Sequence, residues 1–217
     1  MYGHSTGGLV CSMYQREGKY SPKVSAYIFN SPFFDWNVGS LEKHFINLRS
    51  KAISAGIDKR QPTKPLAGNG TAGNINVDLL RIWTQYYYES GKRNPHDLVL
   101  TQGWAAAVTE EQRKLRRALP SSTPTLILTS RHDRTLKSED LLEAVDYISV
   151  YRTCIELHYA RHDVLLSPFP QATAEALGFF RTWLETHLDG HIPAAFPQPA
   201  ELAGEMPATL QASIAEV

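Results

Sequence analysis

The chain has 217 residues, of which 42 % are hydrophobic and 20 % charged, an ordinary balance for one globular domain that buries a core and carries an insertion. Its formal net charge is zero, so nothing in the charge favours nucleic acid or an anionic surface. No apolar run approaches the roughly 20 residues of a membrane helix, and no basic region followed by an apolar stretch marks a signal peptide. The two cysteines, Cys11 and Cys154, are too few for a disulfide framework and are expected as buried free thiols in a reducing compartment, by default the cytoplasm.

The first residues read MYGHSTGG. Gly3-His4-Ser5-Thr6-Gly7 is a Gly-x-Ser-x-Gly pentapeptide, the pattern of a tight strand-to-helix turn that pushes a serine hydroxyl into the open. Such a turn follows a strand, yet only Met1 and Tyr2 precede it. GGLVCSMYQREGKY then predicts a helix ending near Gly18, with Leu9, Val10 and Met13 at helical spacing and Arg16 and Lys19 suited to its C-terminal end. Residues 24–29 are short, apolar and rich in strand formers, bounded by Pro22 and by Asn30-Ser31-Pro32, and predict a buried strand.

Residues from about 40 to 120 predict a polar, helical insertion broken by a flexible GNGTAGN loop. Its aromatics Trp83, Tyr86, Tyr87, Tyr88 and Trp104 either pack its helices or line an acyl-binding pocket. EEQRKLRRAL is a charged amphipathic helix with a solvated face. TPTLILTS predicts a second buried strand and CIELHYA a third. Between them SEDLLEAVDYI predicts a helix with Ser138 as N-cap and Leu141, Leu142, Val145 and Ile148 on one face. AEALGFFRTWLETHL is a closing amphipathic helix, and residues 189–217, rich in Ala, Pro and Glu, are expected to be a disordered or loosely docked tail.

Strands alternating with helices, each strand nearly continuous in apolar residues, imply an α/β domain with a parallel sheet covered on both faces. Ligands of such sheets bind outside the carboxyl ends of the strands. Ser5, Asp133 and His162 each follow a strand or the place of one. A serine hydroxyl is a poor nucleophile until a base takes its proton, and the base needs an acid to fix its tautomer and stabilise the imidazolium. His162 suits the base and Asp133 the acid, with Asp140 and Asp146 close by on the following helix. Asp163 reads as a loop carboxylate or a cap. His158 and His162, four apart, would form a metal pair only on one helical face. His158 lies within the apparent third strand, so no metal site is expected.

The order Ser5, Asp133, His162 and the stretches GHSTGG, FNSPFFDW, TLILTSRHDR and ARHDVLLS resemble the α/β-hydrolase fold. Within it they are similar to bacterial serine hydrolases related to lysophospholipases, monoacylglycerol lipases and the serine aminopeptidase family. GWAAAVTEEQRKLRRAL looks like the end of the helical cap in that group. The resemblance covers most of residues 1–188, which are expected to form one partial hydrolase domain with a cap insertion at about 40–120. It implies Ser5 as nucleophile, Asp133 as acid, His162 as base and the backbone N–H of Thr6 as an oxyanion donor, with no metal or organic cofactor.

In that family several strands precede the serine turn, and a loop after an early strand supplies a second oxyanion donor. Neither is seen here, so the chain looks like the C-terminal part of such a hydrolase, with three strands and an exposed sheet edge. The expected activity is cleavage of carboxylic esters of lysophospholipid or monoacylglycerol type, the partner being a small-molecule ester with an acyl chain. Two alternatives stand beside it. One is an inactive remnant or an interaction fragment that pairs through its sheet edge. The other is an amide or peptide hydrolase of the same fold, because the acyl-transfer machinery is shared.

Overall fold

The computed structural model describes residues 1–56 and 102–187. Along them run β1 (Tyr2–His4), α1 (Thr6–Glu17), β2 (Tyr27–Asn30), α2 (Ser40–Ser54), α3 (Gln102–Leu115), β3 (Thr125–Ser130), α4 (Ser138–Ala144), β4 (Arg152–Leu157) and α5 (Pro170–His187). The described strands form one parallel sheet in the order β1-β2-β3-β4. Gly3 lies opposite Phe29, Phe29 opposite Ile127, and Ile127 opposite Cys154. Because all four strands run the same way, their carboxyl ends share one rim.

Side chains that alternate along a strand build two cores. Tyr27, Phe29 and Ile127 pack with Leu9 of α1, Leu115 of α3 and Leu141 of α4. Ile28, Leu126 and Leu128 pack instead with Ala172, Ala176, Trp183 and Leu184 of α5. Burial on both faces is why β2 and β3 read as unbroken apolar runs. Each fully buried Leu or Ile of this kind contributes about 1.5–3 kcal/mol of transfer free energy.

The sequence predicts three strands, and the described residues form four. β1 is three residues long, too short to show a periodicity, and it exists through its partner: the N–H of Ile28 donates to the Met1 carbonyl at 2.9 Å. β2 starts at Tyr27 rather than at 24, because Ser21–Lys23 forms a 3-10 turn and the Val24 N–H is tied back to the Ser21 carbonyl at 2.9 Å. Val10 and Leu142 are exposed rather than on buried faces. The inner side of α1 is Gly8, Leu9, Ser12 and Gln15. Gln15 is accommodated there because its amide donates to Thr125 Oγ1 at 2.9 Å.

Ser138 is the first helical residue of α4, not its cap, which is Lys137. His158 lies just past β4, beyond the bond from the Arg131 N–H to the Leu157 carbonyl at 3.0 Å. Its ring leans on His132 and Tyr159, with centroids 5.1 and 4.5 Å away. Cys11 and Cys154 are free and half-buried against the first core rather than fully buried. Burial pushes the Cys154 thiol up to about 11, with Glu156 adding to the shift.

Between β2 and β3, α2 and α3 pack together, and Ser50 Oγ donates to the Ala106 carbonyl at 3.2 Å. Lys43 of α2 reaches Asp35 and Asp140 at 2.9 Å each, and Arg116 also pairs with Asp35. Trp104 is half-buried and packs on Phe33 and Trp36, against the first core. On α3 Arg113 pairs with Glu110 and Lys114 with Glu111, an ion-laced outer face. Trp83, Tyr86, Tyr87, Tyr88, the GNGTAGN loop and the tail 189–217 lie outside the described residues. Among the described residues no helix is long and apolar enough to cross a membrane.

Candidate active site

Ser5 sits between β1 and α1 with φ 53° and ψ −122°. That is the conformation of the first central residue of a type II′ turn, a place normally taken by glycine. A non-glycine residue held there stores about 1–3 kcal/mol of strain. Three backbone hydrogen bonds hold it. The Ser5 N–H donates to the Asn30 carbonyl at 3.0 Å, and the Ser5 carbonyl accepts the N–H groups of Gly8 and Phe33, both at 2.9 Å.

The turn also depends on close packing. A Cβ on Gly3 would meet the Gly7 carbonyl oxygen at 2.5 Å, and one on Gly8 would meet Pro32 Cβ at 2.5 Å. A Cβ on Gly7 would meet no described atom within 4 Å. The second glycine of the pentapeptide is therefore not the one that the packing demands; its neighbour Gly8 is.

His162 follows β4 in a loop at the same rim. Its Nε2 lies 2.9 Å from Ser5 Oγ and its Nδ1 lies 2.8 Å from Asp133 Oδ2. The Asp133 side chain, 2 % exposed, spends its other oxygen on its own loop: Oδ1 accepts the N–H groups of Thr135 at 2.7 Å and Leu136 at 3.1 Å. A carboxylate only accepts, so it places the imidazole proton on Nδ1 and leaves the Nε2 lone pair facing the Ser5 hydroxyl. Thr6 opens α1, so its N–H has no partner inside the helix and sits at the positive end of the helix dipole. The other carboxylates near Asp133 are engaged elsewhere, Asp140 with Lys43 and Asp146 with Arg152. Asp163 caps its own loop, accepting the N–H groups of Leu165 and Leu166 at 3.1 Å each.

Two neighbours of this group give no signal in the sequence. The ring of His4 lies 4.9 Å from that of His162, and its Nε2 is 3.9 Å from Asp163 Oδ2. Burial lowers the His4 pKa, the Asp163 charge opposes that shift, and the nearby His162 adds to it. Asn30, at the end of β2, is fully buried and touches the segments that carry Ser5 and His162.

No protein-family model matches the sequence, and no curated protein matches it. Solved structures do match its backbone. A soluble variant of monoglyceride lipase from Saccharomyces cerevisiae shares 18 % identity at a TM-score of 0.64, over 86 % of this chain and 64 % of that one. The monoacylglycerol lipase of Paleococcus ferrophilus shares 17 % identity at a TM-score of 0.63, over 86 % of this chain and 67 % of that one. The chain thus spans about 64 % of the length of the yeast enzyme. Identities this low speak to architecture alone, and the architecture is that of the α/β-hydrolase fold: a parallel sheet flanked by helices, with a helical insertion between its second and third described strands.

Proposed function

We propose that this protein hydrolyses carboxylic esters through an acyl-enzyme on Ser5, with substrates of monoacylglycerol or lysophospholipid type. The observation that carries the reading is the unbroken contact chain from Asp133 Oδ2 through His162 to Ser5 Oγ, at 2.8 and 2.9 Å. The monoacylglycerol part of this reading draws support from two solved structures of similar fold, a monoglyceride lipase and a monoacylglycerol lipase.

In this mechanism Ser5 Oγ attacks the ester carbonyl carbon while His162 Nε2 takes its proton. The carbonyl oxygen becomes an oxyanion and accepts the Thr6 N–H. Collapse breaks the bond to the alcohol, which leaves with the proton from His162. Water then gives a proton to the same nitrogen and attacks the acyl-enzyme. The acid departs and the Ser5 hydroxyl is restored. Asp133 stays ionised throughout, holding the tautomer and offsetting the imidazolium charge.

A fluorophosphonate probe tests the reading. Label on Ser5 by peptide mass spectrometry, with label and p-nitrophenyl ester hydrolysis both lost in Ser5→Ala, is the expected result. Folded protein that refuses the probe, or a Ser5→Ala variant that hydrolyses as before, overturns it.

A further inference from the structure

Asn30 closes β2 and is fully buried. Its main chain and side chain serve opposite sides of the candidate site. The backbone carbonyl accepts the Ser5 N–H at 3.0 Å. The side-chain Nδ2 donates to Asp163 Oδ1 at 2.7 Å and to Tyr2 Oη at 2.8 Å, and Oδ1 accepts the Val164 N–H at 3.1 Å. Both amide donors and an acceptor lone pair are thereby used.

Asp163 and Val164 directly follow His162. Asp163 Oδ1 also accepts from Leu165 and Leu166, so this one oxygen shapes the loop that carries His162, and Asn30 docks that loop on the sheet. A leucine of similar size at position 30 would fill the space, but it would leave the Val164 N–H orphaned and strip Asp163 of its shortest partner. The polar side chain therefore serves the loop beyond merely tolerating its own burial.

We propose that Asn30 is a positioning residue that sets the separation between Ser5 Oγ and His162 Nε2, holding one partner by its carbonyl and the other by its amide. The inference rests on the reading of Ser5 and His162 given under Proposed function. A proton transfer between two heavy atoms 2.9 Å apart tolerates little drift, and a displacement of about 1 Å lowers rates roughly 10²-fold.

The test uses the full chain and p-nitrophenyl butyrate. Asn30→Leu is expected to lower kcat roughly 10²-fold with KM within about twofold, since the variant disturbs alignment and not the ester's binding surface. Asp163→Ala is expected to do the same without touching the sheet, and it carries the test if Asn30→Leu does not fold. Asp163→Asn, which keeps an accepting oxygen, is expected to recover most of that loss. Tyr2→Phe removes only the third leg of the network and is expected to leave kcat within about twofold.

A second readout does not depend on turnover. The low-field proton resonance of His162 Nδ1 is expected to be sharp in the natural protein and broadened by exchange in Asn30→Leu and Asp163→Ala. Folded variants with unchanged kcat and an unchanged resonance overturn the positioning role, while probe labelling of Ser5 in the natural protein separately decides the reading of the site. If the natural protein refuses the probe, the resonance alone decides the role of Asn30: broadening supports it and constancy overturns it.

Discussion

The backbone N–H of Phe33 donates to the carbonyl of Ser5 at 2.9 Å, so the loop after β2 braces the strained turn after β1. The brace keeps a serine where glycine would rest without strain. Ser5→Gly should therefore be more stable than Ser5→Ala by about 1–3 kcal/mol, while both are inactive. In thermal melts this is a difference of several degrees, since about 1 kcal/mol moves a chain of this size by roughly 2–4 °C. Equal melting temperatures would show that the turn stores no strain.

Gly7 and Gly8 should respond in opposite ways. Gly7→Ala has open space for its methyl group and lies in α1, so it should keep activity and gain about 0.5–1 kcal/mol of helix stability. Gly8→Ala places a Cβ 2.5 Å from Pro32 Cβ and 2.9 Å from Pro32 Cα, so α1 or the loop must shift, at a loss of about 1–3 kcal/mol. Denaturant midpoints and ester hydrolysis of the two variants check this, and an innocuous Gly8→Ala would contradict the contact with Pro32.

Asp133→Asn should fold as before, because an amide oxygen can still accept from Thr135 and Leu136. Its NH₂ group would face His162 and favour the wrong tautomer, and kcat should fall about 10⁴-fold. Asp133→Ala should lose stability as well, since it strips both acceptors from the loop. A melt and a kcat measurement on each variant separate the two roles of the one side chain.

Alkaline titration should single out Tyr2. Desolvation raises its phenol to about 12 from the ordinary 10, with the Asn30 amide opposing the shift and the Asp163 charge adding to it. Between those values the folded chain keeps a proton that the unfolded chain has released, so this contribution to stability is present below pH 10 and is lost as pH rises towards 12. Unfolding midpoints of the natural protein should fall relative to Tyr2→Phe across that window. Parallel curves would show that the phenol is not held.

Legibility in the sequence followed the length of each signal. TLILTS is six residues buried throughout, so composition alone marks it as a strand. β1 is three residues long and owes its conformation to pairing with β2, which no local pattern encodes. The approach of Ser5, Asp133 and His162 could be anticipated because each follows a parallel strand, and parallel strands end at a common rim. Asn30 could not, because one polar residue at a strand end looks the same whether it meets water or a buried carboxylate. The role of Gly8 was hidden for a similar reason: its constraint comes from Pro32, which reaches it across the sheet end.

The contacts of Lys43 and Arg116 with Asp35, and of Lys43 with Asp140, give the insertion an electrostatic clasp on the body of the protein. Charge attraction is weakened by dissolved salt, whose screening length is about 8 Å at physiological ionic strength, whereas the apolar cores are not loosened that way. Brine would thus weaken only the charged part of the hold on these helices and leave Val108 and Leu115 of α3 seated against Tyr27, Phe29 and Ile127 of the sheet.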